Sequence, residues 1–171
     1  MENEHHQRDY YFDHPKFPVT FINVEGIKDA EKYLRVRLES KGDSVCLKDW
    51  HEDPEKPGKY THCDEYESSL EDGEVLIDLL KNLGYEESAL VDKKRKSYEY
   101  ENFEIEIDEV ANLGVFVEIE LKQQVEDAKE GLKKIYKFLK MVGISEIEMQ
   151  NRGYVSMIWN PDYDFSESIT I

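Results

Sequence analysis

Apolar and charged residues alternate along much of this chain, and the alternation gathers charges of one sign. Residues 33–39 read YLRVRLE, with Arg35 and Arg37 either side of Val36. Val91 is followed at two-residue steps by Lys93 and Arg95, Glu104 and Glu106 lead to Asp108, and Glu118 and Glu120 flank Ile119. In a β-strand, residues i and i+2 point to the same face. Each segment therefore predicts a strand with a charged stripe on one face and an apolar stripe on the other. Like charges side by side repel, so solvated sheets usually mix signs. Separate basic and acidic stripes facing one enclosed space suit a ligand that needs both, and a metal-bound polyphosphate is such a ligand.

The same patterning predicts strands over 4–12, 33–39, 44–50, 60–70, 89–99, 103–109 and 115–121. Lys41-Gly42-Asp43 and Asn112-Leu113-Gly114 read as turns. Residues 13–32 hold Pro15 and Pro18, lack a clean period and read as a loop. The segment HEDPEKPGK (51–59) reads as another, exposed to solvent. Asp72 is placed to cap a helix with apolar positions Val75, Leu76, Leu79, Leu80 and Leu83 and a stop at Gly84. A second helix is predicted over 124–142, where Val125, Ala128, Leu132, Ile135, Leu139 and Val142 repeat at helical spacing before Gly143. After it, only 154–159 is apolar, and the tail is acidic. The sum is one α+β domain, predominantly antiparallel, whose sheet has one charged face and one apolar face covered by helices. Such a sheet can curl into a barrel with a polar lumen.

Composition narrows the classes of partner. A chain of 171 residues fits one domain burying roughly two thirds of its unfolded surface. Its net charge of −17 disfavours nucleic acid and anionic membranes, because the summed field repels both. Cys46 and Cys63 lie far apart without CxxC spacing, which implies a reduced, cytoplasmic setting. No apolar run approaches the roughly 20 residues of a bilayer span, and the start MENEHHQRDYYF does not read as a signal peptide.

Arg35, Arg37, Lys48, Lys93 and Arg95 form the basic set. Guanidinium forks and lysine point charges both suit phosphate oxygens, although a solvated strand face would carry the same residues. Glu65, Glu67, Glu104, Glu106, Asp108, Glu118 and Glu120 form the acidic set. They are hard oxygen donors of the kind Mg2+ or Mn2+ takes alongside substrate phosphate. Within it, Glu104 and Glu106 are expected at the surface, since YEYENFEIEI is acidic throughout. His5, His6 and His14 have no spacing that makes a zinc site. Tyr10, Tyr11 and Phe116 are expected in the core. No GxxxxGK[ST], GxGxxG, GxSxG or HExxH is present, so phosphate binding would have to come from side chains.

Taken in order, HQRDYYFDHP (6–15), YLRVR (33–37), VCLK (45–48), DEYESSLED (64–72), LLKNLGY (79–85), VDKKRKSY (91–98) and IDEVANLGVFVEIE (107–120) resemble the CYTH superfamily of triphosphate tunnel metalloenzymes. The likeness runs from about 4 to 158 and is greatest to the class IV adenylyl cyclase branch. It implies an antiparallel tunnel of eight strands with flanking helices. By the resemblance, Arg35, Arg37, Lys48, Lys93 and Arg95 bind the triphosphate, and Lys93, Arg95 and Asp108 serve catalysis. Asp108, Glu118 and Glu120, with Glu65 and Glu67, hold Mg2+ or Mn2+. The implied reaction is ATP to cyclic AMP and pyrophosphate. Alternatives are hydrolysis of inorganic or thiamine triphosphate in the same tunnel, or a non-catalytic polyphosphate- or nucleotide-binding module. Two departures stand out. The family's opening ExExK strand and following helix have no counterpart before Gln7, and Cys63 stands where the family tends to have arginine. An unpaired sheet edge, together with the family's habit, implies a homodimer.

Overall fold

The computed structural model describes residues 3–52, 60–125 and 128–171. The chain runs β1 (Asn3–Asp13), β2 (Thr20–Ile22), β3 (Lys28–Ala30), β4 (Lys32–Glu39), β5 (Asp43–Glu52), β6 (Tyr60–Leu70), α1 (Gly73–Asn82), β7 (Glu86–Tyr100), β8 (Phe103–Val110), β9 (Gly114–Leu121), α2 (Ala128–Met141), β10 (Glu146–Gln150), α3 (Tyr154–Trp159) and β11 (Ser166–Thr170). Seven of these strands form one curled antiparallel sheet in the order β6-β5-β4-β1-β7-β8-β9, an open tunnel wall with helices against it. The strand carrying QRDYYF lies at its centre, between β4 and β7. The predicted loop at 51–59 falls largely on 53–59, outside the described residues; His51 and Glu52 continue β5. Among the described residues, no helix is long and apolar enough to cross a membrane.

Alternation sorts the sheet's two faces. Leu34, Val36 and Leu38 of β4 point outward and meet Phe12, Val45 and the Ile77 and Leu80 side chains of α1, with Val36 and Phe12 almost wholly buried. As predicted, Asp72 caps α1 by accepting from the Val75 amide at 3.1 Å, and Gly84 takes the left-handed φ of +91° that ends it. Its residues Val75, Leu79 and Leu83 remain exposed, so the helix buries a narrower stripe than its apolar content suggests. The LG turn also holds, with positive φ at Asn112 and Gly114. Cys46 and Cys63 are free thiols.

Three differences from the sequence reading bear on the inner face. Residues 13–32 are not all loop: β2 and β3 pair, and the Asn23 side chain between them accepts from the Glu25 and Ile27 amides. This local turn needs no hydrophobic period. The tail is ordered into a β10–β11 pair and the short helix α3. Long-range bonds hold α3 over the inner face: the Trp159 indole donates to the Ser88 carbonyl at 2.8 Å, and Asn160 exchanges bonds with Lys28 at 2.7 and 2.9 Å. The second helix is described only from Ala128, later than predicted, with 126 and 127 outside the described residues.

One close approach fixes α1 on the sheet. A Cβ on Gly73 would collide with the buried Leu38 side chain and crowd Asp43 Oδ2, which accepts from the Gly73 amide at 2.8 Å. Gly73→Ala is expected to lower stability by about 1–3 kcal/mol through overpacking. Denaturant unfolding with an unchanged midpoint would show that α1 absorbs the methyl.

Candidate functional site

The inward parity of each strand assembles the charged residues. On β4 it selects Tyr33, Arg35 and Arg37; on β1, Gln7, Asp9 and Tyr11; on β7, Lys93 and Arg95; on β8 and β9, Glu104, Glu106, Asp108, Glu118 and Glu120. Register then sets the partners. Arg37 lies across from Asp9 and donates to both its oxygens, at 2.6 and 2.7 Å. Arg95 lies across from Asp108 and donates from Nε and Nη2 at 2.6 Å each. Its Nη2 also reaches Glu118 at 2.6 Å, and its Nη1 meets Glu106. Lys93 Nζ donates to Asp108 at 3.1 Å, and the Tyr154 hydroxyl of α3 donates to it at 2.9 Å.

Asp108 has no solvent exposure. Burial pushes its carboxyl pKa up, but the Arg95 hydrogen bonds and the Lys93 and Arg95 charges more than offset that, and it lies below its ordinary value. Burial and the neighbouring Arg95 charge hold Lys93 below the ordinary lysine value. Burial, helped by the Asp9 charge, raises the Tyr11 hydroxyl to about 12. Tyr11 lies opposite Arg35 and lines the cavity instead of packing in the core, where the sequence predicts it, whereas its neighbour Tyr10 does pack with the core.

Glu106 and Glu118 stand directly opposite one another, as do Glu104 and Glu120. Such like-charged pairs are unfavourable unless a cation intervenes. Arg95 serves the first pair, and Lys122 bridges the second, reaching Glu120 at 3.0 Å and Glu104 also. Glu104 and Glu106 are thus partly buried on the inner face, not at the surface as expected. The signal was available: once Asp108 points inward, the residues two and four before it must follow. Burial raises the Glu106 carboxyl pKa, and the surrounding carboxylates reinforce the rise against Arg95.

Arg35, Arg37, Lys48, Lys93, Arg95, Glu106, Glu118 and Glu120 line a cavity of about 670 Å³, closed on one side by the segment that leads into α3. Asp108 lies beneath its wall. Glu65 and Glu67 are on the same face but outside the lining, bound to Lys48 at 2.8 Å and Arg35 at 3.3 Å. Among the described residues, Arg35 Nε is buried without a hydrogen-bond partner. A buried donor left over by folding is costly unless a ligand uses it. Asp9 and Tyr154 were not singled out in the sequence, since nothing local marks which tyrosine or aspartate will reach so far along the chain.

The family model for the CYTH domain matches residues 2–154. A Methanocaldococcus jannaschii protein described as a putative adenylate cyclase is 30% identical over 95 residues, covering 55% of this chain and 54% of that protein. The match thus spans about half the length of that relative. A conserved hypothetical protein of Pyrococcus furiosus has a solved structure that superposes with a TM-score of 0.64 at 25% identity, over 90% of this chain and 82% of that one. A Pyrococcus horikoshii protein gives 0.64 at 25% identity, over 94% and 86%. A Vibrio parahaemolyticus structure described as a putative adenylate cyclase gives 0.52 at 17% identity, over 83% and 71%, which is a likeness of fold alone.

Asp108 and Glu106 should respond oppositely to neutralisation. Asp108→Asn leaves Lys93 and Arg95 short of a buried counter-charge and is expected to cost about 3–5 kcal/mol. Glu106 has its pKa raised on folding, so its charge opposes folding above that pKa and the penalty vanishes as pH falls through it. Glu106→Gln is therefore expected to melt no lower than the parent at pH 7, with the difference shrinking in acid. Thermal melts across pH 4–8 check both; a large loss in Glu106→Gln would make its pairing with Arg95 dominant.

Proposed function

The chain belongs to the CYTH domain family, and from that premise we propose that it is a divalent-metal-dependent enzyme acting on a triphosphate, of the class IV adenylyl cyclase type. The observation that carries this reading is the cavity itself. Six cations (Arg35, Arg37, Lys48, Lys93, Arg95 and Arg152) and three glutamates line it, and the buried Nε of Arg35, one of those residues, has no hydrogen-bond partner among the described residues.

In this reading Arg35, Arg37, Lys48, Lys93 and Arg95 hold the phosphate oxygens. Asp9 and Asp108 act beneath them as positioning residues, fixing the guanidinium planes before substrate arrives. That lets the site neutralise developing charge with little reorganisation. Glu106, Glu118 and Glu120 suit Mg2+ or Mn2+ by their donor chemistry, being carboxylates on the cavity wall. Asp108, with its oxygens occupied by Lys93, Arg95 and Tyr154, contributes through the cations instead. Glu65 and Glu67 tether Lys48 and Arg35 at the rim. A divalent ion on the cavity-wall glutamates would supply Lewis-acid polarisation of the phosphate oxygens. In the cyclase reaction the ribose 3′-hydroxyl gives up its proton to solvent as its oxygen attacks the α-phosphorus, the bond from that phosphorus to the oxygen bridging the β-phosphate breaks, and pyrophosphate leaves.

Product analysis with ATP and either Mg2+ or Mn2+ tests the chemistry. Cyclic AMP with pyrophosphate is expected. Orthophosphate would assign a triphosphatase using the same tunnel, and no turnover with retained binding would assign a binding module. A second test addresses the site. Arg35→Ala is expected to weaken tripolyphosphate binding, measured calorimetrically, by more than tenfold, about 1.4 kcal/mol. Unchanged affinity would remove the tunnel from the reading.

A further inference from the structure

We propose a second metal site, built from His51, His62 and Asp64 on the outer face of the β5–β6 hairpin and suited to a borderline ion such as Zn2+. It stands apart from the tunnel reading and does not depend on it. His51 and His62 are direct cross-strand partners, and Asp64 follows His62 by two residues, so all three side chains leave the same face. Their donor atoms all lie within 4.8 Å of one another. The imidazole rings are stacked, with centroids 4.3 Å apart and planes 10° off parallel, and His51 Nε2 is 2.9 Å from Asp64 Oδ2. Metal–ligand bonds of about 2.0–2.1 Å place tetrahedral donors roughly 3.4 Å apart, so side-chain shifts of about an ångström, with rotation of the stacked rings until their in-plane lone pairs converge, would close the set.

The neighbours support this assignment. Asp49 shares the face, opposite Asp64, but is held by Lys32 at 2.6 Å. Among the described residues, Asp64 is the carboxylate grouped with the two rings, with its Oδ2 on His51. Trp50 and Cys63, one residue along on each strand, have the opposite parity, and Trp50 lines the tunnel cavity. The hairpin therefore separates two kinds of donor across one sheet. Carboxylates on the inner face suit hard ions, whereas two imidazoles and one carboxylate on the outer face suit Zn2+ and its neighbours in the transition series. A histidine–aspartate ion pair alone would need one ring; the second ring, stacked face to face on the first, makes the set tridentate and leaves a coordination position open. The pairing of β5 with β6 shifts register just after His51, so a bound ion would staple the two strands where their ladder becomes irregular.

The test is calorimetric titration of the full chain with zinc chloride in excess Mg2+, alongside histidine side-chain NMR. One equivalent is expected to bind, with the ring signals of His51 and His62 shifted. His62→Ala and His51→Ala should each lower zinc affinity tenfold or more, while Glu118→Gln with Glu120→Gln should leave it unchanged. Absence of binding, equal affinity in the histidine variants, or loss only in the glutamate variant would overturn the site. Because the tunnel variants report separately, failure here leaves the tunnel assignment as it was.

Discussion

A carboxylate with no solvent exposure, Asp108, sets the terms for the inner face of this sheet. An unpaired charge there would be prohibitive, and it persists only because Lys93, Arg95 and Tyr154 together satisfy its oxygens. Each partner brings an element with it. Lys93 and Arg95 fix the β7–β8 register, and Tyr154 ties α3 across the sheet. Arg95, pinned by Asp108, can then reach Glu106 and Glu118 and reconcile two carboxylates that would otherwise repel. Asp9 performs the same service for Arg37 on the neighbouring strands. A polar lumen in a small sheet is therefore a set of matched charges first and a cavity second.

Much of this was legible in the sequence because strand parity is local information. Alternation located the seven strands of the main sheet and grouped Arg35 with Arg37, Lys93 with Arg95, and Glu118 with Glu120. Asp72, Gly84 and the Asn112–Gly114 turn marked boundaries through chemistry that acts within a few residues. What escaped was of two kinds. Glu106 sits in an acidic run that points to solvent, yet its parity puts it with Asp108 on the inner face. Tyr154 and Asp9 depend on contacts between distant segments, which no period records, and the His51–His62 pair depends on the register of the β5–β6 hairpin. β2, β3, β10 and β11 are too short, and too dependent on side-chain turns or pairing, to show a hydrophobic repeat.

Charge matching within the free protein bears directly on what the cavity can accept. Arg37, Arg95, Lys48 and Lys93 already have carboxylate partners, and the whole chain carries −17. A bare triphosphate would have to compete with those carboxylates while entering a field that repels it. A divalent ion alone would compete with the cations for the same glutamates. A metal–triphosphate complex avoids both penalties, because it offers anionic oxygens to the arginines and a cation to the glutamates at once. On the proposed reading, the internal ion pairs would act as placeholders that hold each side chain in position, and the incoming complex would exchange partners with them without stranding a buried charge. The cavity is then complementary to the complex more than to either component, which is the discrimination expected of a site whose buried donors and acceptors must all be satisfied together.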